Sequence, residues 1–319
     1  MTSERPNLLV PRFAGVASFM RSPVLADPGE TDIAILGIPF DGGTTNRPGA
    51  RHGPRAVRDQ STLMRRLHPV TKRSPFDLCR IGDLGDVAVN PVDVAATLAA
   101  ITERIAEILA AGAVPLSVGG DHLVSLPILR AVGRDRPVGL VHVDAHSDTW
   151  DSFFGSRYTH STPFRRAVEE GVLDPHRTIQ IGIRGSMHAA EDNDWALAQG
   201  IRIVTMDELR EGGIDRAIAE ALRIAGGGPT YLSFDIDALD PAYAPGTGTP
   251  EIGGLTSYEA QRLVRGLGPL DLVAADLVEV SPPLDVADLT ALTGASLLWE
   301  MLCLLADARI RRDARAERS

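Results

Sequence analysis

The sequence predicts an α/β protein built on a mostly parallel sheet with helices on both faces. Short runs rich in Val, Ile and Leu alternate with longer amphipathic runs almost from end to end of the 319 residues. Those short runs are near-continuously apolar, as strands buried on both faces are. No Pro/Ser-rich linker and no internal repeat divides the chain, and 44% hydrophobic residues suit one large core. A single domain over 1–319 is therefore expected, with about 1–30 as an N-terminal extension and about 309–319, "RIRRDARAERS", as a solvated, frayed tail.

The elements follow in order. "TDIAILGIPF" (31–40) reads as a strand, and "GPRAVRDQSTLMRRL" (53–67) as a helix entered through Pro54. "VDVAATLAAITERIAEILAAG" (92–112) is a helix closed by Gly112. Strands are then expected in "AVPLSVGG", "PVGLVHVD", "RTIQIGIR", "IRIVTM", "PTYLSFDID" and "DLVAADLVEV", with a last helix over roughly 290 to 308.

Bulk properties remove several functions. The net charge of −10 argues against a nucleic-acid partner held by phosphate contacts. No apolar run approaches membrane-spanning length, and "MTSERPNLLV" lacks the apolar core of a signal peptide, so no membrane partner and a cytoplasmic location are expected. Cys79 and Cys303 lack a CxxC partner and read as buried thiols.

In open α/β sheets ligands collect beyond the carboxyl ends of the strands. Four predicted strand ends carry chemistry: "SVGGDH" (117–122), "VDAHSD" (143–148), "SFDIDALDP" (233–241) and "LVEVSP" (277–282). Each has an ordinary explanation alone. Asp121 is a good N-cap, "DID" a good turn, and a single His after a strand is more often a packing residue. Together they put Asp144, Asp148, Asp235, Asp237, His122 and His146 on one sheet edge. Four carboxylates there would repel and be costly to desolvate, whereas two divalent cations balance them. An oxygen-rich set with two imidazoles and no thiolate favours manganese-like ions over structural zinc.

Other features rank lower. The glycine-rich stretch 40–58 has neither GxGxxG nor GxxxxGK[ST], so it reads as a structural loop rather than a nucleotide cradle. His52, His68, His142, His176 and His188 have no paired spacing, with a small reservation for His188. Ser117 and Ser233 sit inside strands without a nucleophile elbow.

"GGDH", "DAHSD", "THSTPF", "SFDIDALDPAYAPGTGTPEIGG" and "VEVSPP" resemble, in order and spacing, the ureohydrolases, the family of arginase, agmatinase and the guanidino-acid hydrolases. The likeness runs from about residue 30 to 305. It implies a three-layer α/β/α sandwich, hydrolysis of a guanidinium group to urea and an amine, two Mn²⁺ per chain (Ni²⁺ being an alternative), and a trimer or hexamer. Carried over by motif, one metal would take His122, Asp144, Asp148 and Asp235, and the other His146, Asp144, Asp235 and Asp237. The resemblance makes Asp148 a proton carrier, His160 the proton-transferring histidine of a mobile loop, and Glu279 the carboxylate that meets the guanidinium. Two positions depart from it: Ser161 replaces the glycine of "HGTPF", and Trp150 stands where several relatives have asparagine.

Substrate choice then falls to whatever meets the far end of the molecule. The loop "DTWDSFFGSRYTHSTPF" should line that part of the pocket and offers Trp150, Arg157 and Tyr158. A cation or a phenol suits a carboxylate better than an ammonium, although Asp151 could greet an amine. The expected substrate is 3-guanidinopropionate or 4-guanidinobutyrate, with agmatine as the alternative. Two rival classes are a binding module that kept the metal ligands without activity, and a nucleotide-binding enzyme using the 41–53 loop.

Overall fold

The computed structural model describes residues 11–317; the beginning of the N-terminal extension and the last two residues of the tail lie outside it. The strands are β1 (Ile33–Gly37), β2 (Ile81–Asp86), β3 (Val114–Val118), β4 (Val138–Val143), β5 (Leu173–Ile183), β6 (Arg202–Thr205), β7 (Pro229–Asp235) and β8 (Asp271–Val278). Among the described residues they form one eight-stranded sheet in the order β2-β1-β3-β8-β7-β4-β5-β6. Every pairing is parallel.

The sheet divides the core in two because successive side chains point to opposite faces. Ile33 and Ile35 join a cluster with Val57, Leu263 and Leu298, from the helices Gly53–Ser61, Ser257–Gly266 and Leu289–Ala316. Ala34 and Leu36 join the opposite cluster with Ile101, Leu129 and Phe164, from Val94–Ala110, Ser125–Val132 and Pro163–Glu169. Helix, sheet and helix make the three layers of an α/β/α sandwich. Each fully buried Ile, Leu or Phe contributes about 1.5–3 kcal/mol, so both faces are strongly specified.

Three details differ from the expectations. The strand Ile81–Asp86 has the sequence "IGDLGD", whose glycines and aspartates hide it from an apolar pattern, yet it pairs with β1 at the sheet edge. The first helix ends at Ser61 instead of running to residue 67. Beyond it the chain turns back to bury His68, whose Nε2 lies 2.8 Å from Glu300 Oε2 in the last helix.

The tail is the third. The last helix runs on to Ala316, and its arginines are anchored. Arg309 donates to Gly112 O at 2.7 Å, Arg311 to the carbonyls of Gly268 and Leu270 at 2.8 Å, and Arg312 to Leu272 O at 2.7 Å. By length and composition this helix could also cross a membrane, contrary to the reading of the apolar runs. Here most of it is core, with Leu297, Leu298, Met301, Leu302 and Leu305 buried. Cys79 is buried and Cys303 half-buried, both as free thiols. Burial pushes the Cys79 thiol up to about 11.

Candidate active site

The four strands whose ends carry chemistry, β3, β8, β7 and β4, are neighbours at the centre of the sheet. Their carboxyl ends therefore deliver His122, Glu279, Asp235 and Asp144 to one place. Close approach at β3 depends on glycine. A Cβ on Gly120 would lie 1.7 Å from Phe40 O, so no side chain fits there. Asp121 caps the turn that follows, accepting from Leu123 N at 3.0 Å. Asp148 and Glu279 hold positive φ of 50° and 63°, which is costly for a glutamate and is tolerated where surrounding structure fixes it. For Glu279 that support includes a bond from its N–H to Gly120 O at 2.8 Å.

Two carboxylate–imidazole groups result. His122 Nδ1 lies 3.0 Å from Asp144 Oδ2, 3.0 Å from Asp148 Oδ2 and 3.1 Å from Asp235 Oδ2. His146 Nδ1 lies 3.1 Å from Asp237 Oδ2 and 3.4 Å from Asp144 Oδ1. Asp144 thus turns one oxygen toward each histidine. All four carboxylates and His122 are buried, and His146 is a third exposed.

The protonation chemistry marks the centre as one that wants positive charge. Burial, then repulsion from Asp237 and Asp144, hold the Asp235 carboxyl well above the usual carboxylate range. Burial opposes charge on His122, yet contact with Asp144, Asp148 and Asp235 outweighs it and raises the ring well above its ordinary value. His122 Nδ1 still has no aligned hydrogen bond, although three oxygens surround it. Its other nitrogen explains why. His122 Nε2 is 2.8 Å from Ser233 Oγ, which donates to Asp276 Oδ1 at 2.7 Å, so Nε2 is committed to Ser233 and Nδ1 is the nitrogen that faces the carboxylates. An imidazole nitrogen among three buried carboxylates, holding positive charge there as a proton, suits a cation in the proton's place.

Residues without a telling spacing complete the surroundings. His142 Nε2 is 2.7 Å from Asp144 Oδ2, and its Nδ1 accepts from Gln180 Nε2 at 3.0 Å, so His142 is a donor to Asp144. Thr249 Oγ1 donates to Asp237 Oδ2 at 3.2 Å. The glycine-rich loop meets His160. Gly43 O accepts from His160 N at 2.9 Å, and Thr45 Oγ1 is 2.8 Å from His160 Nε2. Only the loop's glycines hinted at such close packing; His142 and Gln180 lie inside strands, where sequence gives no sign of a polar role.

His160 and Glu279 form a pair. His160 Nδ1 is 3.2 Å from Glu279 Oε1, which also accepts from His122 N at 3.0 Å. Glu279 Oε2 has no hydrogen-bond partner among the described residues. Burial works against a charged His160, but the bond to Glu279 and the charges of Glu279, Asp148 and Asp121 push it up to about 9.

A cavity of about 250 Å³ opens over this centre. Asp148, His160 and Asp235 line its buried end, and Trp150, Phe153 and His188 its more exposed part. Arg157 and Tyr158 are not among the lining residues, which corrects the expectation for that loop. Arg157 is drawn outward by Glu169 at 2.8 Å, and Tyr158 lies 5.8 Å from the Arg130 guanidinium on the surface. Asp151 is held by Arg166 at 2.8 Å. The two departures from the ureohydrolase pattern meet: Trp150 N donates to Ser161 O at 3.0 Å.

Comparison with known proteins agrees with this architecture. The arginase-family profile matches residues 31–303. The chain belongs to the arginase family. Guanidinopropionase of Pseudomonas aeruginosa is 58% identical over 98% of this chain and 99% of its own length. Guanidinobutyrase of the same organism is 48% identical over 93% of this chain and 94% of its own. Proclavaminate amidino hydrolase from Streptomyces clavuligerus shares the arginase-family fold at a TM-score of 0.91, with 40% identity over 94% of this chain and 100% of that one.

Proposed function

We propose that this arginase-family chain adds water to the guanidinium carbon of a small guanidino acid, 3-guanidinopropionate or 4-guanidinobutyrate, and releases urea and the corresponding amino acid. The observation that carries the reaction is Asp144, with Oδ2 toward His122 and Oδ1 toward His146, which joins two ligand groups into one centre. The guanidinopropionase match at 58% identity supports the acid over an amine, since the Gallus gallus agmatinase that also matches 93% of this chain is 49% identical.

One divalent ion would be held by His122, Asp144, Asp148 and Asp235, and a second by His146, Asp144, Asp235 and Asp237. The oxygen-rich donor set suits Mn²⁺. Bound there, such ions supply water of lowered pKa, from ~15.7 toward neutrality. Asp148, in the cavity wall, accepts a proton from the attacking water. Glu279 Oε2 is free to bond the guanidinium, holding its carbon for attack. His160, charged at neutral pH beside Glu279, donates a proton to the departing nitrogen and is recharged from solvent. Assembly as a trimer or hexamer and a cytoplasmic location are further proposals that rest on the family likeness, checked by light scattering and by cell fractionation.

The test is urea release by Mn²⁺-loaded protein from 3-guanidinopropionate, 4-guanidinobutyrate, agmatine and arginine. One methylene is worth only ~1–3 kcal/mol to a pocket, so both acids are expected to react. Preference for agmatine by tenfold or more, about 1.4 kcal/mol in the transition state, would reverse the substrate choice while leaving the hydrolysis.

A further inference from the structure

We propose that His188 receives the carboxylate of the guanidino acid at the outer end of the cavity, making it the residue that selects acids over amines. This rests on the hydrolase reading above.

Charge in the cavity points to this residue. The guanidinium end must lie at the buried end, beside Asp148, Asp235 and His160, so the far end of a short substrate reaches the exposed part. A carboxylate there needs a donor or a cation. Of the lining side chains that can carry positive charge, His146 faces Asp144 and Asp237, and His160 is held between Glu279 and Thr45. Arg184 is engaged by backbone carbonyls, including those of Asp237, Leu239 and Glu251 at 2.7 to 3.2 Å. His188 remains. No carboxylate pairs with its ring among the described residues, and the ring is exposed.

The setting of His188 fits the role. Its ring stands edge to face with Trp150, centroids 5.1 Å apart, and lies 6.0 Å from Phe153. Trp150 and Phe153 are 5.6 Å apart, so the two rings and the imidazole form one aromatic wall. Such a wall covers methylenes well and offers a polar tip at its rim. It is also tied to the reacting end, because Trp150 N bonds Ser161 O beside His160.

Asp192, an acidic residue of the same cavity, is occupied by the backbone. Asp192 Oδ2 accepts from the backbone N–H of His188 at 2.8 Å and of Ala189 at 3.2 Å, which shapes the loop that presents His188. Glu251 meets Arg184 through its backbone carbonyl, 2.7 Å from Arg184 Nη2. A carboxylate at the rim finds an imidazole whose N–H can make a charge-assisted bond.

The experiment compares wild type, His188→Ala and His188→Arg, each loaded with Mn²⁺, on 3-guanidinopropionate, 4-guanidinobutyrate, agmatine and n-propylguanidine, whose far end is uncharged. His188→Ala is expected to raise KM for both acids tenfold or more with kcat nearly unchanged, and to leave KM for n-propylguanidine within about twofold. His188→Arg is expected to restore the low KM for acids. Equal losses on n-propylguanidine and on the acids would mean that His188 only shapes the wall, and an unchanged acid-to-agmatine ratio in His188→Ala would mean that it selects nothing; either overturns the proposal while the hydrolase reading stands. No urea from any of the four compounds with wild type would overturn both.

Discussion

His160 shows how much one residue's environment decides. Both ring nitrogens are held, Nδ1 by Glu279 and Nε2 by Thr45, which is the arrangement of a proton donor in a fixed pose. Replacing it by Ala is expected to lower kcat by about 10²–10⁴ while the protein keeps its full metal content by elemental analysis; loss of metal would make it a ligand instead. The pair also gives a pH signature in metal-free protein. Because the folded pKa, about 9, exceeds that of an unfolded histidine, near 6.5, the pair's stabilisation is complete below ~6.5 and is lost as pH rises through about 9. Thermal midpoints of wild type and Glu279→Gln should therefore converge across that window, and a gap that persists to pH 10 would contradict the pairing. His142 makes a sharper case, since its imidazole lies within ligand distance of the cluster yet donates to Asp144. His142→Ala is expected to keep two ions per chain and bind them about 10–100-fold more weakly in a chelator competition. A fall to one ion would make His142 a ligand.

At the scale of elements, the strand ends were legible because apolar runs that stop at charged residues are visible in one dimension. "VHVDAHSD" and "SFDIDALD" announce both their strands and their ligands. Where packing rather than pattern sets the element, the sequence misleads. β2 carries two glycines and two aspartates, and it becomes a strand because β1 offers an edge to pair with. Arg157 and Tyr158 lie in the correct loop, but Glu169 and Arg130, which draw them outward, are far away in the chain or on another element. The tail is a similar case. "RIRRDARAERS" is too polar to look ordered, yet its arginines reach carbonyls at Gly112, Gly268, Leu270 and Leu272. Removing residues 309–319 is expected to destabilise the protein by about 1–3 kcal/mol, since each carbonyl loses a charged donor. Urea denaturation of the truncated chain measures this, and a midpoint equal to wild type would restore the frayed reading.

The whole molecule is organised around an electrostatic conflict at the centre of its sheet. Four parallel strands converge on buried carboxylates that repel one another, and burial and mutual charge push the Asp235 carboxyl well above the usual carboxylate range. A fold that places such a group in its interior is stabilised by whatever neutralises it. Divalent ions should therefore act on stability as well as on rate, by RT ln(1 + [M]/Kd), which is about 2.7 kcal/mol at one hundred times Kd. Chelation is expected to abolish urea release and lower the thermal midpoint together, and Mn²⁺ to restore both. The ligand geometry orders the variants. Asp144→Asn weakens both groups, because its two oxygens address His122 and His146. Asp237→Asn disturbs the His146 group alone and should retain one ion per chain at the His122 group, with part of the thermal shift. Asp235→Asn should be the more damaging of the DxD pair, since Asp235 Oδ2 contacts the fully buried His122 and the family likeness has it serve both ions. Equal metal loss in Asp235→Asn and Asp237→Asn would remove the bridging role of Asp235. A chelated protein that kept full turnover would remove the centre itself, because no other group in the cavity makes water nucleophilic enough to attack a resonance-stabilised guanidinium.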